Sequence, residues 1–153
     1  MKVSYGSYTA LLIFLVLVLA TGFTIGLTIR PGEWYQSLAK PWFTPPNWLF
    51  APAWTLIYVL IAVAGWRVTI REGFNSTAFR LWIVQMLLNW TWTPVFFGFH
   101  QIGLGLAVIV CLLSIVVSFM IRVQDRSARW CFAPYALWLV YATSLNAAIF
   151  LLN

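Results

Sequence analysis

Apolar residues fall into five long blocks, at about residues 7–29, 48–70, 77–98, 102–121 and 131–152, parted by short polar or proline-rich stretches. Each block holds the roughly 20 residues that an α-helix needs to cross a hydrocarbon core about 30 Å thick. The pattern therefore predicts an all-α fold: an integral membrane bundle of five transmembrane helices, forming one domain over residues 1–153. Lys2 ahead of the first block raises the reading of a signal peptide. The apolar run is too long for that, and no small-x-small cleavage pattern follows it, so it reads as the first span. Only Phe99, His100 and Gln101 separate the third and fourth blocks, which predicts a tight antiparallel hairpin, and Pro94 should kink or end the third helix.

The connection between the first two blocks breaks the pattern. From Leu38 to Trp54 it holds Pro41, Pro45, Pro46 and Pro52 together with Trp42, Trp48 and Trp54. Proline lacks an N–H and fixes φ, so the segment before Trp48 cannot be a regular helix. A loop that only joins two helices is usually short, polar and rich in glycine. This one reads as a stiff, aromatic cover, with Pro52 tolerated in the first turn of the helix that follows.

Composition agrees with a lipid environment: the 153 residues are 63% hydrophobic and 8% charged, with mean hydropathy +0.90. The net charge of +6 does not point to nucleic acid, because the basic residues flank apolar spans. Lys2, Arg67, Arg71, Arg80, Arg122, Arg126 and Arg129 would share one side, against Arg30 and Lys40 on the other. This asymmetry predicts a cytoplasmic N-terminus, an extracytoplasmic C-terminus and an extracytoplasmic proline-tryptophan loop, with the cytoplasmic (inner) membrane as the location. Cys111 and Cys131 fall on different spans and read as free packing residues.

The acids Glu33, Glu72 and Asp125 all lie outside the predicted core, so ion-coupled transport is disfavoured. No nucleophile, base and orienting acid are placed to meet, which disfavours hydrolysis, and no metal site is predicted. His100 reads as a solvated turn residue. Two small-residue patterns suit close helix packing: Gly22 with Gly26, and Gly103, Ala107, Cys111, Ser114 and Ser118 on the fourth span. We read the second first as packing within the bundle, and otherwise as a dimer interface.

What the spans do contain is aromatic and amide side chains at helical spacing. Trp54 and Tyr58 are i,i+4; so are Gln85 and Asn89, with Trp92 beyond them; Trp138, Ala142 and Asn146 step by four beside Leu145. Buried amides in lipid need a partner, either a neighbouring helix or a ligand. Trp34, Trp48, Trp66, Trp82 and Trp130 sit at span ends, as an aromatic belt does. The inner group lies in the half nearer the loop. If its faces converge they form an aromatic pocket for a flat, poorly soluble ligand.

These residues resemble the tryptophan-rich sensory protein family, TspO/MBR, whose members are also called translocator protein or peripheral benzodiazepine receptor. The resemblance is carried by Trp34-Tyr35, Lys40-Pro41, Pro45-Pro46-x-Trp48, Pro52-x-Trp54, Leu88-Asn89-Trp90-x-Trp92-x-Pro94-x-Phe96-Phe97-Gly98, Pro134-Tyr135, Trp138, Ala142-Thr143 and Leu145-Asn146. It implies a five-helix bundle, commonly a homodimer, that binds porphyrins such as protoporphyrin IX and haem, sterols and synthetic ligands under the first loop. By resemblance Trp34 and Tyr35 belong to the lid. Trp54 and Asn89 give polar contacts, and Tyr58, Trp92, Trp138, Ala142 and Leu145 line the cavity, with Asn146 among them. No cofactor is obligatory; the porphyrin is a ligand. The resemblance also implies alternatives: a light- and oxygen-dependent porphyrin-degrading enzyme, with Trp34 and Trp138 as candidate electron donors, or a passive porphyrin or sterol transporter. The family usually has tryptophan where Phe43 stands and a smaller residue at Trp42. The basic sterol motif of animal members is missing after Asn146, so a porphyrin is preferred over a sterol.

Overall fold

The computed structural model describes residues 5–153, with side chains from Tyr8 onward; Lys2 of the charge count lies outside the described residues. Six helices are present and no strand among the described residues: α1 Tyr5–Thr28, α2 Glu33–Ser37, α3 Phe50–Arg71, α4 Thr77–Thr93, α5 Ile102–Arg122 and α6 Arg126–Leu152. Five are long, and α2 is a single short helix within the first loop. Four of the long helices, α1, α3, α5 and α6, are long and apolar enough to cross a membrane. α4 has 17 residues, about 26 Å at 1.5 Å per residue. It gains a further turn from a π-helical segment, Pro94–Gly98.

Local chemistry explains these boundaries. Gly73, at φ 83°, ends α3 in the left-handed conformation, and the N–H groups of Glu72 and Gly73 both return to the Val68 carbonyl. Ser76 then caps α4 by accepting the Phe79 N–H at 3.1 Å. Pro94 brings no N–H, so the ladder widens: the Phe99 N–H reaches the Pro94 carbonyl five residues back. Sequence reading starts the last span near residue 131, whereas α6 starts at Arg126 and takes Arg126 and Arg129 into its first turns. The reason is Asp125, whose carboxylate accepts the Ala128 N–H at 2.7 Å and starts the helix earlier than hydropathy suggests.

The long helices form a ring of neighbours: α1 against α3, α3 against α6, α6 against α5 and α5 against α4, closed by lighter contacts of α4 with α1 and α3. Lipid is as apolar as leucine, so close packing and polar contacts hold such a bundle. Glycine serves this where helices cross closely. Gly22 of α1 lies directly against the Tyr58 ring, while Gly26 faces open space; only half of the GxxxG pattern is a packing site inside the chain. Gly65 lies under the Trp82 indole, which donates to the Ile61 carbonyl at 2.9 Å. The small-residue stripe of α5 corrects our first reading. Ala107, Cys111 and Ser114 are exposed and Ser118 is half-buried. Of the stripe, Gly103 packs against α6, where a β-carbon would meet the Phe150 ring at 3.0 Å, and the face turned to the core is Gly105, Ile109, Leu112, Val116 and Phe119.

At the end of the bundle that carries the α3–α4 and α5–α6 turns, Arg67 grips both carboxylate oxygens of Asp125 at 2.8 and 2.9 Å. The Arg67 hydrogen bonds hold the Asp125 carboxyl below the usual carboxylate range, against the opposing effect of burial and with help from the Ala128 N–H and Arg71.

A β-carbon at Gly65 would stand 2.5 Å from the Trp82 ring, which is itself held by Phe14 and Phe79. Gly65→Ala should therefore lower stability in detergent by about 1–3 kcal/mol. Gly26→Ala should be neutral or stabilising by up to about 1 kcal/mol; unfolding followed by circular dichroism separates the two. Because folding lowers the Asp125 pKa, its contribution is present above the unfolded value of 3.8 and fades as pH falls through the folded one. Asp125→Asn should cost about 1–3 kcal/mol at pH 7, with the difference from the parent protein closing below pH 3.8 in unfolding curves.

Candidate functional site

Two polar knots lie in the half of the bundle nearer the proline-tryptophan loop. In the first, the Asn89 carbonyl oxygen accepts from the Tyr58 hydroxyl at 3.1 Å, and its amide donates to the Tyr135 hydroxyl at 2.8 Å. One side chain of α4 thus ties α3 to α6, leaving Asn89 one N–H and acceptor capacity unused. Trp54 covers this knot, with ring centroids 5.3 Å from Tyr58, 6.4 Å from Tyr135 and 6.3 Å from Trp138. Trp138 in turn meets Phe50 at 5.9 Å and Tyr141 at 5.7 Å.

In the second knot Asn146 of α6 accepts from the Trp92 indole at 3.2 Å and donates to the Ile102 carbonyl at 3.1 Å. Gly105 leaves the room for it, since a β-carbon there would meet Phe96 at 3.0 Å and the Asn146 oxygen at 3.4 Å. Trp92 stacks on Phe96 at 5.0 Å, and Phe96 receives the edges of Trp34 and Tyr35 at 5.7 and 6.3 Å. Leu145 and Ile149 complete this group.

The bundle therefore has two apolar clusters. The larger runs through the core and holds Tyr135, with Trp54, Tyr58, Trp138 and Ala142 packed on it; the smaller joins the loop residues Trp34, Tyr35, Leu38 and Phe43 to Phe96, Leu145 and Ile149. Trp92 packs against both. Of the residues read from the sequence, Trp54, Tyr58, Asn89 and Trp138 come together around the first knot, and Ala142 packs on the same core. Trp34, Tyr35, Trp92, Leu145 and Asn146 come together around the second. The rings fill the seam between the clusters. Asn89 and Asn146 both bond across helices, the alternative to a ligand considered from the sequence. Gln85, one turn from Asn89, is fully buried, and its amide has no hydrogen-bond partner among the described residues.

The loop is fastened mainly through its backbone. Tyr141 donates its hydroxyl to the Phe43 carbonyl at 2.8 Å. Asn153 accepts the Ala39 N–H at 3.0 Å and donates back to the Ala39 carbonyl at 3.1 Å. Lys40 caps the Gln36 and Leu38 carbonyls at 3.1 Å and sits 4.7 Å from the centre of the Tyr35 ring. Burial, with Tyr141 adding to it, holds the Tyr35 hydroxyl above its usual titration range.

A profile of the TspO/MBR family matches residues 12–152. The chain belongs to the TspO/MBR family. It is 38% identical to the tryptophan-rich sensory protein of Cereibacter sphaeroides, over 92% of this chain and 91% of that protein. It is 37% identical to protein CrtK of Rhodobacter capsulatus, over 96% and 94%, and 31% identical to human translocator protein, over 84% and 81%. Family membership together with the apolar helices makes this an integral membrane protein.

In this TspO/MBR member Phe43 is partly buried and meets the Tyr141 ring at 6.5 Å, whereas Trp42 is 95% exposed. Of the two neighbouring aromatics, Phe43 turns inward and Trp42 points outward. Sequence reading missed four contributors. Tyr135 and Tyr141 stand three residues either side of Trp138, so helical spacing alone marked them as neighbours. Phe96 is a further one, bridging lid and bundle. Nothing local signals Asn153, which is 114 residues from its partner Ala39. His100 is exposed but not merely solvated: at φ 57° it stacks on Trp34 with ring centroids 4.2 Å apart.

Removing the Asn153 side chain takes away both bonds to Ala39. Asn153→Ala should speed amide exchange in residues 38–44 by about three- to tenfold, without changing exchange in α3. The last turn of α6, whose Ile149 carbonyl Asn153 also caps at 2.8 Å, should fray with it. Hydrogen–deuterium exchange mass spectrometry of the detergent-solubilised protein reads this directly.

Proposed function

We propose that the protein binds a flat, hydrophobic tetrapyrrole such as protoporphyrin IX or haem in the seam between the lid and the bundle. Lid position would then report occupancy and regulate tetrapyrrole metabolism or a stress response. One observation carries the reading: an aromatic lid is fastened by a few backbone-directed bonds over a seam lined by Trp54, Trp92 and Trp138. Separating the two clusters would expose ring faces on both sides, which suits a planar aromatic guest. The remaining capacity of Asn89 and the unpartnered amide of Gln85 supply donors and acceptors for a polar substituent. The names carried by its relatives, sensory protein and translocator protein, fit a ligand-responsive membrane protein. We assign the lid to the extracytoplasmic side of the inner membrane. Arg67, Arg71, Arg80, Arg122, Arg126 and Arg129 gather at the opposite end of the bundle, where anionic headgroups and the positive-inside bias favour them.

Quenching of tryptophan fluorescence by added protoporphyrin IX measures binding. Ala142→Leu, which fills the seam, and Asn89→Ala should each weaken affinity about tenfold, a change of about 1.4 kcal/mol. Unchanged affinity in both variants would rule out this seam as the site. Illuminating the complex in oxygen tests the enzymatic alternative: a stoichiometric product formed faster than free porphyrin bleaches, and lost in Trp138→Phe, would make the protein a porphyrin-degrading enzyme.

A further inference from the structure

A cavity of about 510 Å³ opens at the end of the bundle remote from the lid, lined by Arg71, Glu72, Ser76, Thr77, Ala78, Arg122 and Gln124. It lies where the last turn of α3, the first turn of α4 and the last turn of α5 meet. Its chemistry differs from that of the seam: two guanidinium groups, a helix amino terminus and few apolar atoms.

The charges in and around it are unequally spent. Asp125 is held chiefly without Arg71: Arg67 takes both of its oxygens and the Ala128 N–H bonds one of them again, three of its roughly four acceptor sites. The Arg71 Nε stands 3.7 Å from Asp125, a loose contact that leaves its other donors free. Glu72, also on the cavity wall, is committed in part to the neighbouring turn: one oxygen accepts the N–H groups of both Gln124 and Asp125, at 3.0 and 3.2 Å. That fixes the α5–α6 turn and takes up part of the carboxylate's capacity. Arg122 is exposed, and no ion pair is formed by it among the described residues. At the start of α4 the Ser76 hydroxyl takes the Phe79 N–H. The N–H groups of Thr77 and Ala78, on the cavity wall, have no acceptor within the helix. The positive end of the α4 dipole adds to the two arginines.

We infer that this cavity is a binding site for a phosphate group, held between Arg71 and Arg122 and seated on the first turn of α4. Arginine offers paired donors that match phosphate oxygens, and a helix amino terminus offers backbone donors with a favourable field. The same chemistry is offered by the headgroup of an anionic phospholipid and by free phosphate. A position at the end of the membrane-crossing helices makes both sources accessible. Glu72 acts as a positioning residue, setting the turn that carries Gln124 into the wall. The site is independent of the tetrapyrrole seam, which lies toward the other end of the bundle.

The test uses the full-length protein in a non-ionic detergent, with native mass spectrometry and thermal unfolding as readouts. The probes are short-chain phosphatidylglycerol, phosphatidylcholine of the same chain length and inorganic phosphate. Phosphatidylglycerol should bind and stabilise the protein, and the double variant Arg71→Gln with Arg122→Gln should bind it at least about tenfold more weakly. Arg122→Gln alone, at an exposed and unpaired position, should retain the fold and lose about threefold or more. Arg30→Gln, at the other end of the bundle, should bind like the parent. If inorganic phosphate competes with the lipid at equal concentration, the phosphate group alone is recognised. If only the lipid binds, its glycerol and chains contribute as well. Equal retention of phosphatidylglycerol by the parent protein, the single variant and the double variant would overturn the assignment. So would equal loss in Arg30→Gln, which would mark a diffuse charge effect.

Discussion

A polar side chain inside a bilayer has no water to turn to, and that constraint shapes the centre of this protein. Asn89 resolves it by joining Tyr58 of α3 to Tyr135 of α6, and Asn146 resolves it by joining Trp92 of α4 to the start of α5. Between lipid-facing helices the hydrophobic effect offers little discrimination, so these few directed bonds specify which faces meet. The glycine contacts at Gly22, Gly65 and Gly105 then bring the backbones close enough for the bonds to form. Both knots lie in the same half of the bundle, and the aromatic rings gather around them.

That arrangement links stability to function. The side chains that would meet a ligand in the seam are those that hold α3, α4, α5 and α6 together. A guest must offer equivalent contacts as the seam opens, which favours large aromatic molecules and disfavours small polar ones. The lid is suited to such an exchange. Its hold on the bundle through Tyr141 and Asn153 uses main-chain groups of Phe43 and Ala39, so it depends little on which side chains the loop presents.

The opposite end of the bundle follows different physics. There the helices stop at capped turns, and charge replaces aromatic packing as the organising element. Asp125 serves as helix cap and as partner to Arg67, and Glu72 braces the neighbouring turn through two backbone N–H groups. Arg67 and, more loosely, Arg71 share Asp125, and Arg129 bonds the Val123 carbonyl. Arg122 forms no ion pair among the described residues, which leaves guanidinium donors at this end for the inferred phosphate site.

Much of the architecture was legible in the sequence, because span length, proline and charge asymmetry act locally or by simple sums. The blocks of apolar residues mark five membrane-crossing elements, Pro94 marks the change of helix type, and Trp54, Asn89, Trp92, Trp138 and Asn146 lie at spacings that put them on shared faces. Helix ends set by a single capping side chain, as at Asp125, were blurred because hydropathy averages over many residues. The stripe from Gly103 to Ser114 has the spacing of a packing face, yet beyond Gly103, which meets Phe150, it points outward. In lipid a small-residue face and a branched face are both compatible with burial, so periodicity cannot choose between them. Contacts such as Asn153 with Ala39, His100 with Trp34 and Phe96 with both clusters join parts of the chain that are remote or lie on different elements. Which of them forms depends on how the helices rotate about their axes. That rotation is decided only when the asparagine knots and glycine contacts are satisfied together, and no local stretch of sequence holds that information.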